Sequence, residues 1–314
     1  MRAQRLHLHR AALLAAVLAT FPYLVLKLLW LTGSKVGTTD RHGADELSST
    51  RFVAGNSITV LLMVVAAVFV VLLTRSWANR VPARLVFVLA AGATGLLAPI
   101  LVGLPVGLVV QAVTRGEVGP AQDTGMAPWV FVVVYSGFGL LGLAMAVLVI
   151  AHVLNRWGSL IAQRPQRPSW WFTAAGAAGL LPFGVAMIFW GSAGPGNSGP
   201  QGMDMPAQRT VLLVTGLLSI AAFVVPMLSA ASRWPRLAWL TTWTGCCVAA
   251  LQGPTEVLLA QGGMVEPAVA VIAVLSTPGA GIYGLAVLKQ RLSHHPDASR
   301  PVHAAQTSPR TGRA

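Results

Sequence analysis

The chain is poor in charge. Only 10% of its 314 residues are Asp, Glu, Lys or Arg, against about 25% in an ordinary soluble domain. So few charges would leave the surface of a soluble protein this size uncovered. That excludes a cytosolic globular enzyme and a disordered chain. Acidic residues are scarcest, nine against 22 basic ones, for a formal net charge of +13. Cysteine is nearly absent. The two present, Cys246 and Cys247, are adjacent, and helix neighbours point in different directions, which excludes a disulfide scaffold or a CxxC site. HExxH, Walker and GxSxG motifs are missing too, so a soluble-type hydrolase or an ATP-driven pump has no support.

What the chain has is apolar length. Hydrophobic residues make up 55% and the mean hydropathy is +0.68. Eight runs approach the roughly 20 residues that cross a bilayer core. They are Ala11–Leu31, Phe52–Thr74, Leu85–Val113, Pro128–Leu154, Trp171–Ser192, Thr210–Ser232, Leu237–Ala260 and Pro267–Leu288. Backbone groups cannot stay unpaired in lipid, so the runs are read as helices. They lack the alternation of a membrane barrel. The expected fold is an all-α, polytopic transmembrane bundle of about eight spans. Residues 1-10 precede it, the transmembrane domain covers 11-292, and 293-314 form a polar, disordered tail.

Two runs need comment. The first follows Arg2, Arg5 and Arg10, as a signal peptide would. It is longer than a signal h-region and no convincing small-residue cleavage site follows it, so an uncleaved span is expected. The third contains Pro99 and Pro105. It reads as one kinked helix or a helix with a re-entrant piece. Two full spans there would reverse every later loop.

Loop charges set the orientation. With a cytoplasmic N-terminus, sixteen of the 22 basic residues fall on the inner side and five on the outer, with Lys27 inside a span. Asp40, Asp45, Glu46, Glu117, Asp123, Asp204 and Glu266 all fall outside. This obeys the positive-inside rule with both termini cytoplasmic. The excess of arginine is therefore read as topology, and no nucleic-acid partner is expected. The expected location is the inner (plasma) membrane, in contact with lipid; the oligomeric state stays open.

Several motifs fail on context. Gly279-Ala-Gly-Ile-Tyr-Gly284 matches GxGxxG but lies inside the last run, with no preceding strand. Its glycines, like Gly103-xxx-Gly107, are expected to permit close helix packing. Met203-Asp204-Met205 hints at Cu(I), but such a site needs further Met or His partners on the spans; His152 is near the inner end of its helix and no span carries a His pair. His294 and His295 open the tail and read as solvated. No metal or cofactor is expected.

Ionisable residues inside spans are costly, which makes each a functional candidate. Two stand out, Lys27 and Glu256. Counting about 1.5 Å per residue along their helices puts both in the outer half of the bundle. An ion pair between them is geometrically possible. Asn56, Gln111 and Tyr135 are predicted at the same level. Gln252 precedes Glu256 by one turn on the same face, with Pro254 between them. Tyr23 and Trp30 flank Lys27 on one face, and Asp204 can reach down from the outer loop. These residues suggest a polar pocket open to the outer side. The bland reading is a register-fixing Lys–Glu pair with interfacial aromatics. Of the ten tryptophans, seven fall near span ends, where a belt is expected; Trp30, Trp239 and Trp243 do not fit that pattern as easily.

The segment from Tyr23 through Lys27 and Trp30 to Gly33 reads YxxxKxxWxxG. It resembles the first span of a group of actinobacterial multi-span membrane proteins. A more distant, architectural similarity is to the integral-membrane terpene cyclases, small helical bundles with few buried carboxyls and many aromatics. That similarity implies an enzyme acting on an isoprenoid, a hydrophobic small-molecule substrate. Glu256 would be the acid and Asp204 the second candidate. Tyr23, Trp30, Trp243 and Tyr283 would present π faces to a carbocation. Lys27 would suit a diphosphate or other anion. The competing functions are a small-solute or proton-coupled transporter, and a non-catalytic membrane partner or sensor that uses the long outer loop from Gly33 to Arg51.

Overall fold

The structure is a computed structural model that describes Leu14, Leu18 and residues 20–75, 77–116, 125–260 and 265–293. Residues 1-10, most of the first run before Thr20, Glu117, Asp123 and the tail from His294 lie outside the described residues. The described elements are helices: α1 (Thr20–Leu31), α2 (Arg41–Ser48), α3 (Thr50–Thr74), α4 (Ala83–Arg115), α5 (Pro128–Trp157), α6 (Trp170–Ala193), α7 (Pro206–Val224), α8 (Pro235–Leu259) and α9 (Pro267–Ser293). Among the described residues no strand forms, and the single β-type contact is an isolated bridge from Thr38 to Met126.

Six of these helices are long and apolar enough to cross a membrane: α3, α4, α5, α6, α7 with its extension to Met227, and α9. The chain is an all-helical, multi-pass membrane protein. Its surface agrees, with Val113, Val274 and Leu285 each more than two thirds exposed. Lipid, not water, suits such a surface. The described part of α1 is shorter than a span. α8 is long enough but carries Thr241, Thr242, Thr244, Gln252, Thr255 and Glu256. It packs between α4, α7 and α9, which shield this less apolar helix from lipid.

Local chemistry explains the helix limits. Pro at the first position starts α5, α7, α8 and α9, where its missing N–H costs nothing. The third run is one continuous helix, α4, with Pro99 and Pro105 inside it. The sixth run was expected to reach Ser232, but α7 stops at Val224. Pro226 cannot continue the hydrogen-bond ladder, and two short 3₁₀ turns carry the chain on to Ser232.

The helices alternate in direction, and contacts at both ends show it. At the arginine-rich end, Arg156 Nη1 donates to the Val81 carbonyl at 2.8 Å and Arg164 Nη1 to the Leu228 carbonyl at 3.2 Å. At the opposite end, Arg51 Nη2 donates to the Leu258 carbonyl at 2.9 Å, and the Ala207 amide meets Gln111 Oε1 at 3.4 Å.

Three apolar cores result. The largest joins α6, α7, α8 and α9 around Leu180, Phe183, Met187 and Tyr283. A second joins α3, α4 and α5 around Phe69, Val86 and Leu148. A third, smaller one joins α1, α2, α3 and α5 through Leu26, Trp30, Leu47 and Val130. Two of the three glycines of the failed nucleotide motif, Gly279 and Gly284, serve the first core, while Gly281 faces open space. A Cβ on Gly279 would lie 2.7 Å from the Gly179 Cα, and one on Gly284 would lie 3.1 Å from the Cys246 Cβ. Gly103 and Gly107 likewise bring α4 onto Val211 and Ala207 of α7. Trp190, expected in the interfacial belt, is buried in the first core. Trp170, Trp171 and Trp234 stay exposed near helix ends, as a belt requires.

Candidate functional site

Lys27 organises one cluster. It sits on α1 between Tyr23, one turn before, and Trp30, one turn after. Its ammonium donates to Asn56 Oδ1 on α3 at 2.6 Å. Three rings surround it, with centroids 4.8 Å away for Trp30, 5.1 Å for Tyr23 and 5.6 Å for Phe52. A desolvated ammonium gains from such faces, by about 2 kcal/mol at the upper end for one ring. Asn56 is itself only 3% exposed, so the bond also satisfies a buried amide oxygen.

The rings are held in turn. Trp30 Nε1 donates to the Val36 carbonyl at 2.8 Å, and its ring meets Phe52 edge-on at 5.7 Å. Tyr23 packs on Phe138 of α5 at 5.0 Å. Tyr135 stands one turn before Phe138 and stacks on Phe131 at 6.3 Å. The loop after α1 is folded down here. The Thr39 amide donates to the Gly125 carbonyl at 2.9 Å and the Ala127 amide to the Gly37 carbonyl at 2.7 Å. Gly43 and Gly125 touch backbone to backbone, and both matter because a Cβ on either would collide with the other. The loop between α1 and α3 is therefore docked on the start of α5.

Glu256 stands apart, half-buried on α8. Among the described residues it has no hydrogen bond or ion pair, and Lys27 is not joined to it. The same helix is fixed one turn earlier by Gln252 Nε2, which donates to the Gly95 carbonyl of α4 at 2.8 Å. Arg51, five residues before Asn56 on α3, reaches the Leu258 carbonyl two residues past Glu256. Glu256 and the Lys27 cluster thus occupy the same end of the bundle, although α8 packs mainly on α4, α7 and α9.

The remaining candidates are spread out. Gln111 is 1% exposed and joins α4 to the start of α7. Asp204 is exposed in the loop before α7. Next to it, Met205 Sδ receives Arg115 Nη1 at 3.2 Å. Trp243 and Tyr283 belong to the arginine-rich half. Trp243 Nε1 meets Thr94 Oγ1 at 3.4 Å and its ring lies 5.8 Å from Phe87, near the start of α4. Tyr283 is fully buried and its hydroxyl donates to the Phe223 carbonyl at 3.2 Å. The structure therefore joins Tyr23, Lys27, Trp30 and Asn56, with Tyr135 beside them. It leaves Glu256 at the same end as that group, draws Gln252 against Gly95 in the middle of α4 and away from the level expected for it, and removes Trp243 and Tyr283 toward the arginine-rich half. Phe52 and Phe138 were missed from sequence, because a Phe in an apolar run gives no signal until its neighbours are known.

Comparison of the chain with family models, characterised proteins and solved structures returns no match.

Proposed function

We propose that the chain is an eight-span plasma-membrane protein with both termini cytoplasmic, and that it takes an amphiphilic isoprenoid-type substrate into the outer half of its bundle. Glu256 is the acid that starts a cyclisation. The observation that carries this reading is the state of Glu256. It lies partly enclosed on the most polar long helix, with no counter-charge among the described residues, while Lys27 is engaged by Asn56 and three rings. A carboxyl without a cationic partner is available as a proton donor.

The reaction balances as an isomerisation. The Glu256 carboxyl gives its proton to an epoxide oxygen or an alkene carbon. A carbocation forms and closes onto a second double bond, and loss of a carbon-bound proton to a base ends the sequence. Tyr23 and Trp30 line the neighbouring wall, and the Lys27 ammonium suits an anionic or hydroxylated head of the same molecule. The transport reading is weaker. A coupled solute needs a polar path through both halves, and the seams among α6, α7, α8 and α9 are closed by backbone contact.

The test uses the detergent-purified full chain with farnesyl- and geranylgeranyl-type alcohols and their terminal epoxides. A subset is expected to raise the Tm of wild type and of Glu256→Gln alike. Mass spectrometry is expected to find cyclised product from wild type, reduced about a hundredfold or more in Glu256→Gln. No Tm response to any isoprenoid, or equal product from both proteins, ends the cyclase reading and leaves transport or partner binding.

A further inference from the structure

Arg291, in the last turn of α9, is only 6% exposed. Its Nε donates to the Leu160 carbonyl at 3.1 Å, and its Nη2 is enclosed with no hydrogen-bond partner among the described residues. The positive-inside pattern accounts for an arginine at this end, but not for one drawn into the protein. A buried guanidinium short of acceptors is costly unless a counter-charge meets it. Among the described residues none is at hand. Asp40, Asp45, Glu46, Asp204, Glu256 and Glu266 all belong to the opposite end.

A second unpartnered group lies on the same seam. Cys246 of α8 faces Gly284 of α9. One turn toward the arginine-rich end come Thr242 on α8 and Val287 on α9, and Arg291 follows one turn beyond Val287. Thr242 Oγ1 is also enclosed without a partner. The loop between α5 and α6 closes over this end and brings two more arginines. Trp239 Nε1 holds the Gln163 carbonyl at 2.8 Å, Arg164 bonds the Leu228 carbonyl, and Arg167 Nε lies 3.5 Å from Thr173 Oγ1.

We propose that this end of the bundle binds a phosphate-type oxyanion. Arg291 is the principal ligand, Thr242 an added donor, and Arg164 and Arg167 form the rim through which the anion enters. The planar fork of arginine suits two oxygens of one phosphate group. The phosphate is either free or the headgroup of an anionic phospholipid in the adjoining leaflet. The competing counter-charge is Asp297, which lies outside the described residues.

The full chain in neutral detergent is heated with inorganic phosphate and, separately, with phosphatidylglycerol or phosphatidylcholine mixed micelles. Wild type is expected to gain roughly 3 °C or more in Tm from phosphate or phosphatidylglycerol, relative to phosphatidylcholine. Arg291→Gln is expected to lose the gain and Asp297→Asn to keep it. A gain from phosphatidylglycerol alone assigns the headgroup; a gain from both assigns phosphate itself. No gain from either, a gain that survives Arg291→Gln, or one that appears only in Asp297→Asn overturns the proposal. If Arg291→Gln does not fold, Arg291→Lys keeps the charge without the fork. It must then weaken the apparent affinity at least about threefold, as must Thr242→Val. Unchanged affinity in both overturns the proposal equally.

Discussion

The two parts of the bundle are joined by different means. In α4 and α6 through α9, glycines set backbone against backbone: Gly95 against Cys247, Gly107 against Ala207, Gly179 against Gly279, Gly184 against Gly216, Gly245 against Leu218. In α1, α3 and α5, side chains join the helices: ring contacts, one charged hydrogen bond and the apolar core around Phe69 and Leu148. Gly55 and Gly139 there have no neighbour that a Cβ would meet. The contrast separates two roles. Backbone seams leave no room for a ligand and hold α8, with Glu256 and Gln252, in one place. Side-chain joints can part by rotamer changes, which backbone seams do not allow, so the part built from α1, α3 and α5 is adjustable and the other rigid.

The largest effect should come from closing space in a seam. A Cβ at Gly245 would run into the Leu218 carbonyl oxygen, which is backbone and cannot swing away. Gly245→Ala is expected to cost about 3 kcal/mol, the upper range for overpacking. It should appear as a drop in Tm and loss of the monodisperse peak in detergent. A Tm near that of wild type would mean that α7 and α8 slide freely, and the distinction between the two parts would fail.

Much of this division was hidden in the sequence, for definite reasons. Apolar runs located α3 to α6 and α9 to within a few residues, because a span must be apolar over its length whatever its neighbours are. Counting residues gave Lys27 an expected depth but not its partner. Asn56 and Glu256 were both predicted at its level, and only the side-by-side order of helices gives the bond to Asn56. Hydropathy does not encode that order. The docking of the α1–α3 loop was equally invisible, because it depends on Gly43 meeting Gly125 across 82 positions of chain. Trp190 read as a belt residue from its place near a helix end, yet its neighbours on α7 make it core.

A second experiment asks whether the adjustable part hangs on one bond. Asn56→Leu removes the acceptor of the Lys27 ammonium and is expected to cost about 2 kcal/mol, as charged hydrogen bonds do. Lys27→Met removes the donor and should cost a similar amount. The double variant should cost clearly less than the sum, with a coupling of about 1 kcal/mol or more. Denaturation of all four proteins in one detergent measures it. Strict additivity would assign the stability to the rings of Tyr23, Trp30 and Phe52 and leave the hydrogen bond incidental.

The smallest effect is the most discriminating. Gly139 on α5 and Gly55 on α3 have the same residue type, helical setting and bilayer surroundings as Gly245, but open space where a Cβ would go. If helix glycines here serve close approach, Ala at these two positions loses nothing in packing. It gains what Ala has over Gly in a helix, about 0.5 kcal/mol. Gly139→Ala and Gly55→Ala are therefore expected to leave Tm unchanged or to raise it slightly, each opposite in sign to Gly245→Ala. A loss at either position would show that the open side is filled in the membrane by another chain or an ordered lipid. The adjustable part would then be an interface, and the boundary between the two parts would run along the surface of α3 and α5 and not through the bundle.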